Sequence, residues 1–335
     1  MKRIMRPVFI LLAVALVLGL AAVMSEKSGP YRRGGTARTA SAAHHLFELV
    51  PPGCKSALWL DVRGLHTAPA LAGLREKVWT AERLQGIENF RKSTRIDLRN
   101  DVEEFIICFD GTQPDWLLVI GCGGFDTAGL VKTFSKWPAV RLQPYNGTDV
   151  FELTDPKNHF ECIAVLGRHE IAGGSRTAVK ELLDQRAAKP SGQAALSAER
   201  RALMAMGDGT LARFVTTQLA SLPKVPDGPL KEHTTLITLA AAVEGDLTAV
   251  LRMRLEFDRP DYAQRGGKFL NGALDLLLGA VQSKGQLPKG LEELMSSLKI
   301  EQQGSAVTVS ARAPLALLEG LLAQGAVKPR AGMMK

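Results

Sequence analysis

No Cys-x-x-Cys pair, no His-Glu-x-x-His segment and no cysteine close behind the first apolar run occur in this chain of 335 residues. Each absence removes a kind of chemistry. Without cysteines paired at that spacing, neither a thioredoxin-type redox motif nor a zinc knuckle is present. Without two histidines one helical turn apart, zinc-protease chemistry has no ligand set. The first cysteine, Cys54, lies too far along to carry a lipid behind a leader segment. Nor is there a basic domain surface. The net charge is +8, yet removing residues 1–33 leaves +3, and Lys328, Arg330 and Lys335 in the tail account for those. A folded part this near neutrality has no cationic face to displace counterions from DNA or RNA, which excludes nucleic acid as a partner.

What is present begins at the N-terminus. Lys2, Arg3 and Arg6 precede an uncharged run from Pro7 to Met24, roughly 18 residues and just long enough to cross a bilayer as a helix. A basic start followed by an apolar run directs a chain into the secretion machinery. Ala21-Ala22-Val23-Met24 is a poor cleavage site, which favours a retained signal-anchor (residues 1–24) over a cleaved leader. Lys27, Arg32, Arg33 and Arg38 on the far side blunt the positive-inside preference, so export is argued from position. The expected location is the cell envelope, single-pass and anchored, with the folded part extracytoplasmic; secretion after cleavage is the alternative. Residues 25–45 read as a flexible tether, and 328–335 as a basic tail suited to anionic headgroups.

About 290 residues remain, enough for one large or two medium domains. Turn and hydropathy signals divide them into an α+β domain at 46–188 and a second at 194–327, with a boundary at Lys189-Pro190-Ser191-Gly192. Leu58, Leu60 and Val62 alternate with Trp59, Asp61 and Arg63, the pattern of a half-buried strand. Phe105–Phe109 and Trp116–Ile120 are apolar runs joined by a turn. Asp126 is placed to cap a helix carrying Leu130, Val131 and Phe134. Asn146-Gly147 is the strongest hairpin signal in the chain. A further hairpin turns at Gly167-Arg168, and Ser175 opens a helix with Ala178, Val179, Leu182 and Leu183 on its inner side.

After a mixed stretch from Leu203 to Leu222, a long hairpin turns at Glu244-Gly245-Asp246. A helix starts near Pro260 and runs to Val281, a second hairpin turns at Gln303-Gly304-Ser305, and a last helix starts with Pro314 at its first turn. The expected fold is α+β: antiparallel hairpins forming sheets with helices on one face, behind the membrane or signal segment. Two related β-β-α-type halves are an open alternative. Four cysteines, Cys54, Cys108, Cys122 and Cys162, permit disulfides in an oxidising compartment, with the pairing open.

Three phrases carry a resemblance. They are Leu49-Val50-Pro51-Pro52-Gly53, Asp61-Val62-Arg63-Gly64-Leu65 leading to Ala68-Pro69-Ala70-Leu71, and Ile163 to Gly174 before a helix. The chain resembles a poorly characterised group of bacterial envelope proteins over most of the region behind the tether. That resemblance implies an anchored or exported α+β protein and brings no functional residue with it.

Several stretches approach catalytic templates and miss. Gly121-Cys122-Gly123-Gly124 sits between a strand and a helix like a dinucleotide turn, but the third glycine position is Asp126, a charge facing pyrophosphate. Asp110-Gly111-Thr112 is like a phosphoryl-transfer loop, but Cys108 stands where the nucleophilic Asp belongs. Cys162 and Arg168 have phosphatase spacing, yet the residues between them read as a strand. His44, His45, His66, His159, His169 and His233 form no metal spacing, and Ser175 lacks the final glycine of a nucleophile elbow. Asp208-Gly209-Thr210 and Asn146-Gly147-Thr148 read as turns.

No catalytic, cofactor-binding or metal residue is therefore nominated. The expected role is non-enzymatic binding or scaffolding, with the membrane contacted through residues 7–24 and envelope proteins or an apolar ligand as candidate partners. The alternatives are a carrier of a small apolar or lipid ligand near the Leu274–Val281 stripe, and a hydrolase whose site sequence does not reveal.

Overall fold

The computed structural model describes residues 46–68, 71, 85, 88, 91–92, 96–97, 100–157, 160–188, 197–205, 210–218, 232–244, 248–282, 294 and 296–317. The anchor, the tether, His44, His45, His159, the boundary at 189–193 and the tail lie outside them. Among the described residues, no helix is long and apolar enough to cross a membrane.

The hairpins read from turn chemistry form as expected. β1 (Ser56–Asp61) is followed by β2 (Val102–Asp110) and β3 (Gln113–Gly123), then β4 (Val140–Leu142) and β5 (Val150–Lys157), β6 (Phe160–Val165) and β7 (Glu170–Gly174). Beyond these come β8 (Thr210–Thr216), the long pair β9 (Thr234–Glu244) and β10 (Thr248–Phe257), and β11 (Lys299–Gln303) with β12 (Ala306–Pro314). Asn146 and Gly147 take φ of 47° and 75°, the paired positive values that match a hairpin's twist. Gly304 supplies φ of 56° at the last turn.

The twelve strands among the described residues belong to one antiparallel sheet, in the order β11-β12-β10-β9-β8-β1-β2-β3-β7-β6-β5-β4. β8 lies in the stretch that shows no clear pattern in sequence, and it is the strand on which continuity depends. It pairs with β1 (Leu58 opposite Phe214) on one side and with β9 (Val215 opposite Thr238) on the other. The buried hydroxyls of Ser56 and Thr216, 2.7 Å apart, reinforce the β1–β8 contact.

Helices cover both faces of this sheet, which corrects the expectation of helices on one face. The reason is that the central strands are apolar on both sides. Ala57 and Trp59 of β1, Ile106 and Cys108 of β2, and Leu118 and Ile120 of β3 point one way. α3 (Arg176–Ala187) and α4 (Ala198–Met204) pack there, with Ala178, Val179, Leu182, Leu183 and Leu203 buried together with Leu46, Phe47, Leu49 and Val50. The intervening residues Leu60, Phe105 and Phe151 point the other way, under α1 (Val62–Thr67) and α2 (Thr127–Phe134). β1 is thus buried on both sides rather than half-buried. Each fully enclosed Leu or Phe contributes about 1.5–3 kcal/mol.

Local signals set the helix ends. Asp126 accepts from the Gly129 N–H at 2.9 Å and starts α2; Ser175 accepts from the Ala178 N–H and starts α3. Asp61 caps α1 through the Gly64 N–H at 2.7 Å, and burial pushes its carboxyl up despite that bond. Pro314 ends β12 instead of opening a helix; the helical turn begins at Leu315, and its continuation lies outside the described residues. α5 (Pro260–Gln282) lies across β10, β11 and β12, burying Ala263 against Ile237, Leu255, Phe257 and Val307.

Candidate functional site

The stretches that approached catalytic templates resolve into structural roles. Gly123 ends β3 beside β2, where an added Cβ would stand 1.8 Å from the Asp101 carbonyl oxygen, so this glycine serves close backbone packing. His169 bonds the Gly123 carbonyl at 3.2 Å through Nδ1. Asp110 organises the β2–β3 turn: Oδ1 accepts from the Thr112 N–H at 2.8 Å, the Thr112 hydroxyl at 2.7 Å and Gln218 Nε2 at 2.6 Å. Gln218 in return accepts from the Gly111 N–H at 2.6 Å, tying the turn to the end of β8.

Burial acts to raise the Asp110 carboxyl, but the bonds from Thr112, Gln218 and Gln113 outweigh it and hold it below its ordinary value. A lowered carboxyl contributes stability above its unfolded value of about 3.9, and that contribution is lost as pH falls through the lower folded value. Asp110→Asn is therefore expected to lower the urea midpoint at pH 7. The gap from wild type should narrow steadily as pH is lowered from about 4 to about 2. An unchanging gap would show that the charge is not the source.

Cys162 lies beneath the first turn of α3. Arg168 is exposed in the β6–β7 turn, and the arginine that lines the cleft with Cys162 is Arg176. Arg176 spends its charge on Glu152, with Nε 2.9 Å and Nη2 3.2 Å from the two carboxylate oxygens, while its backbone N–H donates to Glu161 at 2.7 Å. Burial, then Glu152 and Glu161, push the Cys162 thiol up to about 12. A thiol held there is not a nucleophile at neutral pH. The cleft, also lined by Tyr145 and Lys180, holds about 40 Å³, well short of the roughly 300 Å³ where ligand pockets begin.

Sequence reasoning missed the pair His233–Asp258, 3.0 Å apart across the start of β9 and the end of β10. The His233 ring stacks on Tyr262 with centroids 3.3 Å apart and planes 12° from parallel, and the Arg259 guanidinium sits 4.5 Å from the Tyr262 ring centroid. This cluster locks the entry of α5 onto the sheet.

α5 is also where the surface departs from ordinary. Its inner side carries Ala263, Gly266 and Gly267, all buried, and an added Cβ at Gly267 would touch Val307 and Gln302. The opposite side carries Phe269, 59 % exposed, and Leu276, 73 % exposed. A separation of seven residues places the two nearly in line along a helix. Gly272 and Gly279 fall in the same stripe, and an added Cβ at either meets nothing within 4 Å. Each costs a helix about 1 kcal/mol relative to Ala, and neither returns any packing within the described residues. Among the leucines of this helix, Leu274 is half-buried, while Leu276 faces outward. Only the register of α5 on the sheet makes that division.

No family model and no curated protein matches the chain. Among solved structures, crystal forms I and IV of TP0453 superimpose with TM-scores of 0.42 and 0.43 at 12 % and 11 % identity, over 83 % of this chain and 96 % of theirs.

Proposed function

We propose that this protein is a membrane-tethered extracytoplasmic binding or scaffolding protein, held by residues 7–24 and docking an apolar helix of an envelope protein along the outer stripe of α5. The carrying observation is that stripe: Phe269 and Leu276 exposed in line, interleaved with Gly272 and Gly279. Large apolar side chains give a partner something to bury, and glycines between them let a second helix approach closely. Charge favours a protein over an anionic bilayer as the occupant. α5 balances Arg265 and Lys268 with Asp261 and Asp275, whereas helices that lie on lipid concentrate Lys and Arg on the polar face.

Two variants separate binding from folding. Gly272→Ala is expected to raise the stability of the isolated chain by about 1 kcal/mol, read as a higher urea midpoint, while weakening association in membranes. Phe269→Ser with Leu276→Ser removes only exposed surface. It is expected to leave the unfolding midpoint within the usual range of surface changes, about 0.5 kcal/mol, and to abolish co-purification of the partner after crosslinking in intact membranes. Unchanged partner recovery in the double variant would remove α5 from the proposal; recovery of the wild-type chain in the cytosol would remove the tether.

A further inference from the structure

All four cysteines lie in the same buried cluster on one face of the sheet, and all four are free thiols. Strand register decides which of them can meet. Cys108 of β2 is opposite Leu118 of β3, Leu118 is opposite Gly174 of β7, and Gly174 is opposite Cys162 of β6. Cys108 and Cys162 are therefore three strand spacings apart, about 14 Å. Cys122 lies four residues along β3 from Leu118, about 13 Å from the Cys108 row. Between Cys122 and Cys162 the same offset is combined with two strand steps. A disulfide needs Cα atoms within about 7 Å, so every pairing among these three cysteines is excluded.

Cys54 is the exception. The turn Pro51–Cys54, closed by the Cys54 N–H donating to the Pro51 carbonyl at 3.0 Å, delivers its side chain under the start of β1. Ala57 of β1 pairs directly with Cys108. Cys54 Sγ donates to the Ser56 carbonyl at 3.3 Å, and the Cys54 thiol lies beside that of Cys108.

We infer that Cys54 and Cys108 are a disulfide-forming pair and that Cys122 and Cys162 stay reduced. The oxidant is a disulfide, either a small molecule or the active-site disulfide of an exchange catalyst. One cysteine thiolate opens the oxidant's S–S bond to give a mixed disulfide. The second thiolate then displaces the remaining oxidant sulfur. Two electrons and two protons pass to the oxidant, which leaves as two thiols. Both sulfurs are fully buried in the folded chain, and burial raises the Cys108 thiol further. Exchange therefore proceeds while the chain folds, before β1 and β2 are covered. In a cell the oxidant comes from the extracytoplasmic location proposed above, and the inference rests on that reading for its setting but not for its geometry.

The test refolds the full chain from urea in oxidised and reduced glutathione, alkylates the remaining thiols and maps the peptides. The expected result is one linked pair of peptides containing Cys54 and Cys108, with Cys122 and Cys162 alkylated. Reduction is then expected to lower the thermal midpoint by about 10 °C. Cys54→Ser and Cys108→Ser should each remove that reduction-dependent shift entirely, and Cys122→Ser should leave it intact. Four alkylated thiols, glutathione retained at Cys54 or Cys108, or any other linked pair would overturn the pairing. Alkylation in intact cells is read separately: a bond formed on refolding but absent in cells counts against the location and leaves the pairing established.

Discussion

Gly174→Ala is expected to abolish the native fold. Gly174 ends β7 at the corner where the chain turns into α3, with φ of 152°. A Cβ built there would stand 2.0 Å from the Leu117 carbonyl oxygen and 3.0 Å from the Leu118 Cα. Both are backbone atoms of β3, so no side chain can swing aside. The Leu117 carbonyl is already engaged, accepting from the Ser175 N–H at 2.8 Å. Relief would require β7 to part from β3, which exposes the pair Leu118–Gly174 and lifts α3, with Leu182 and Leu183, off the sheet. The cost exceeds about 4 kcal/mol, the range reserved for failures of backbone or core. Expression should yield insoluble chain, and any soluble fraction should unfold without a cooperative transition. A cooperative transition close to that of wild type would show that the β3–β7 contact is looser than described.

Arg213→Ala carries the next largest effect. Arg213 is buried on β8, with its guanidinium 4.9 Å from the Trp59 ring centroid and 5.7 Å from that of Phe47. Nη1 donates to the Leu203 carbonyl at 2.8 Å, near the end of α4. One side chain thereby joins β8, β1, α4 and the segment leading into β1. Truncation leaves a void beside two aromatic rings, removes a cation from them and strips the Leu203 carbonyl of a charged donor. It also withdraws a positive charge that favours ionised Asp61, whose carboxyl burial already raises. The combined loss is about 3–5 kcal/mol, read as a fall of about 10 °C in thermal midpoint. Arg213→Met should recover part of the packing but not the bond to Leu203. Arg213→Lys should fall between, because an ammonium cannot stack on the rings and reach the carbonyl as well. Met and Lys midpoints equal to that of wild type, with Ala alone lowered, would show that volume alone matters.

The hairpins and caps were legible because their causes are local. Asn146-Gly147 needs nothing beyond its own backbone to choose a turn, and Ser175 and Asp126 find their N–H groups three residues on. Two features were not legible. β8 hides because Arg213, a charge in the middle of Leu211–Val215, breaks the apolar pattern. The aromatic rings that accommodate it are Trp59 and Phe47, more than 150 residues away. The sidedness of the helices hides for a related reason. A strand written Ala57-Leu58-Trp59-Leu60 is apolar at every position, and only its place inside the sheet shows that both faces need a cover.

The candidate surface was half legible. The length and Leu content of α5 were readable from Pro260 onward. Which leucines face the sheet depended on Ala263, Gly266 and Gly267 seating the helix against Val307. The same holds for the cysteines: their number was evident, but the one feasible pair followed from registers joining β1, β2, β3, β7 and β6.

The most direct test of the proposed role is a photo-crosslinking scan along α5 in intact membranes, with the reactive residue placed singly at 264, 269, 271, 272 and 276. Docking of a partner helix on the outer stripe predicts discrete adducts from positions 269, 272 and 276. It predicts none from Gln264 and Asn271, which are exposed on the flank of the same helix. Adducts of equal strength at all five positions, or at none, would contradict it.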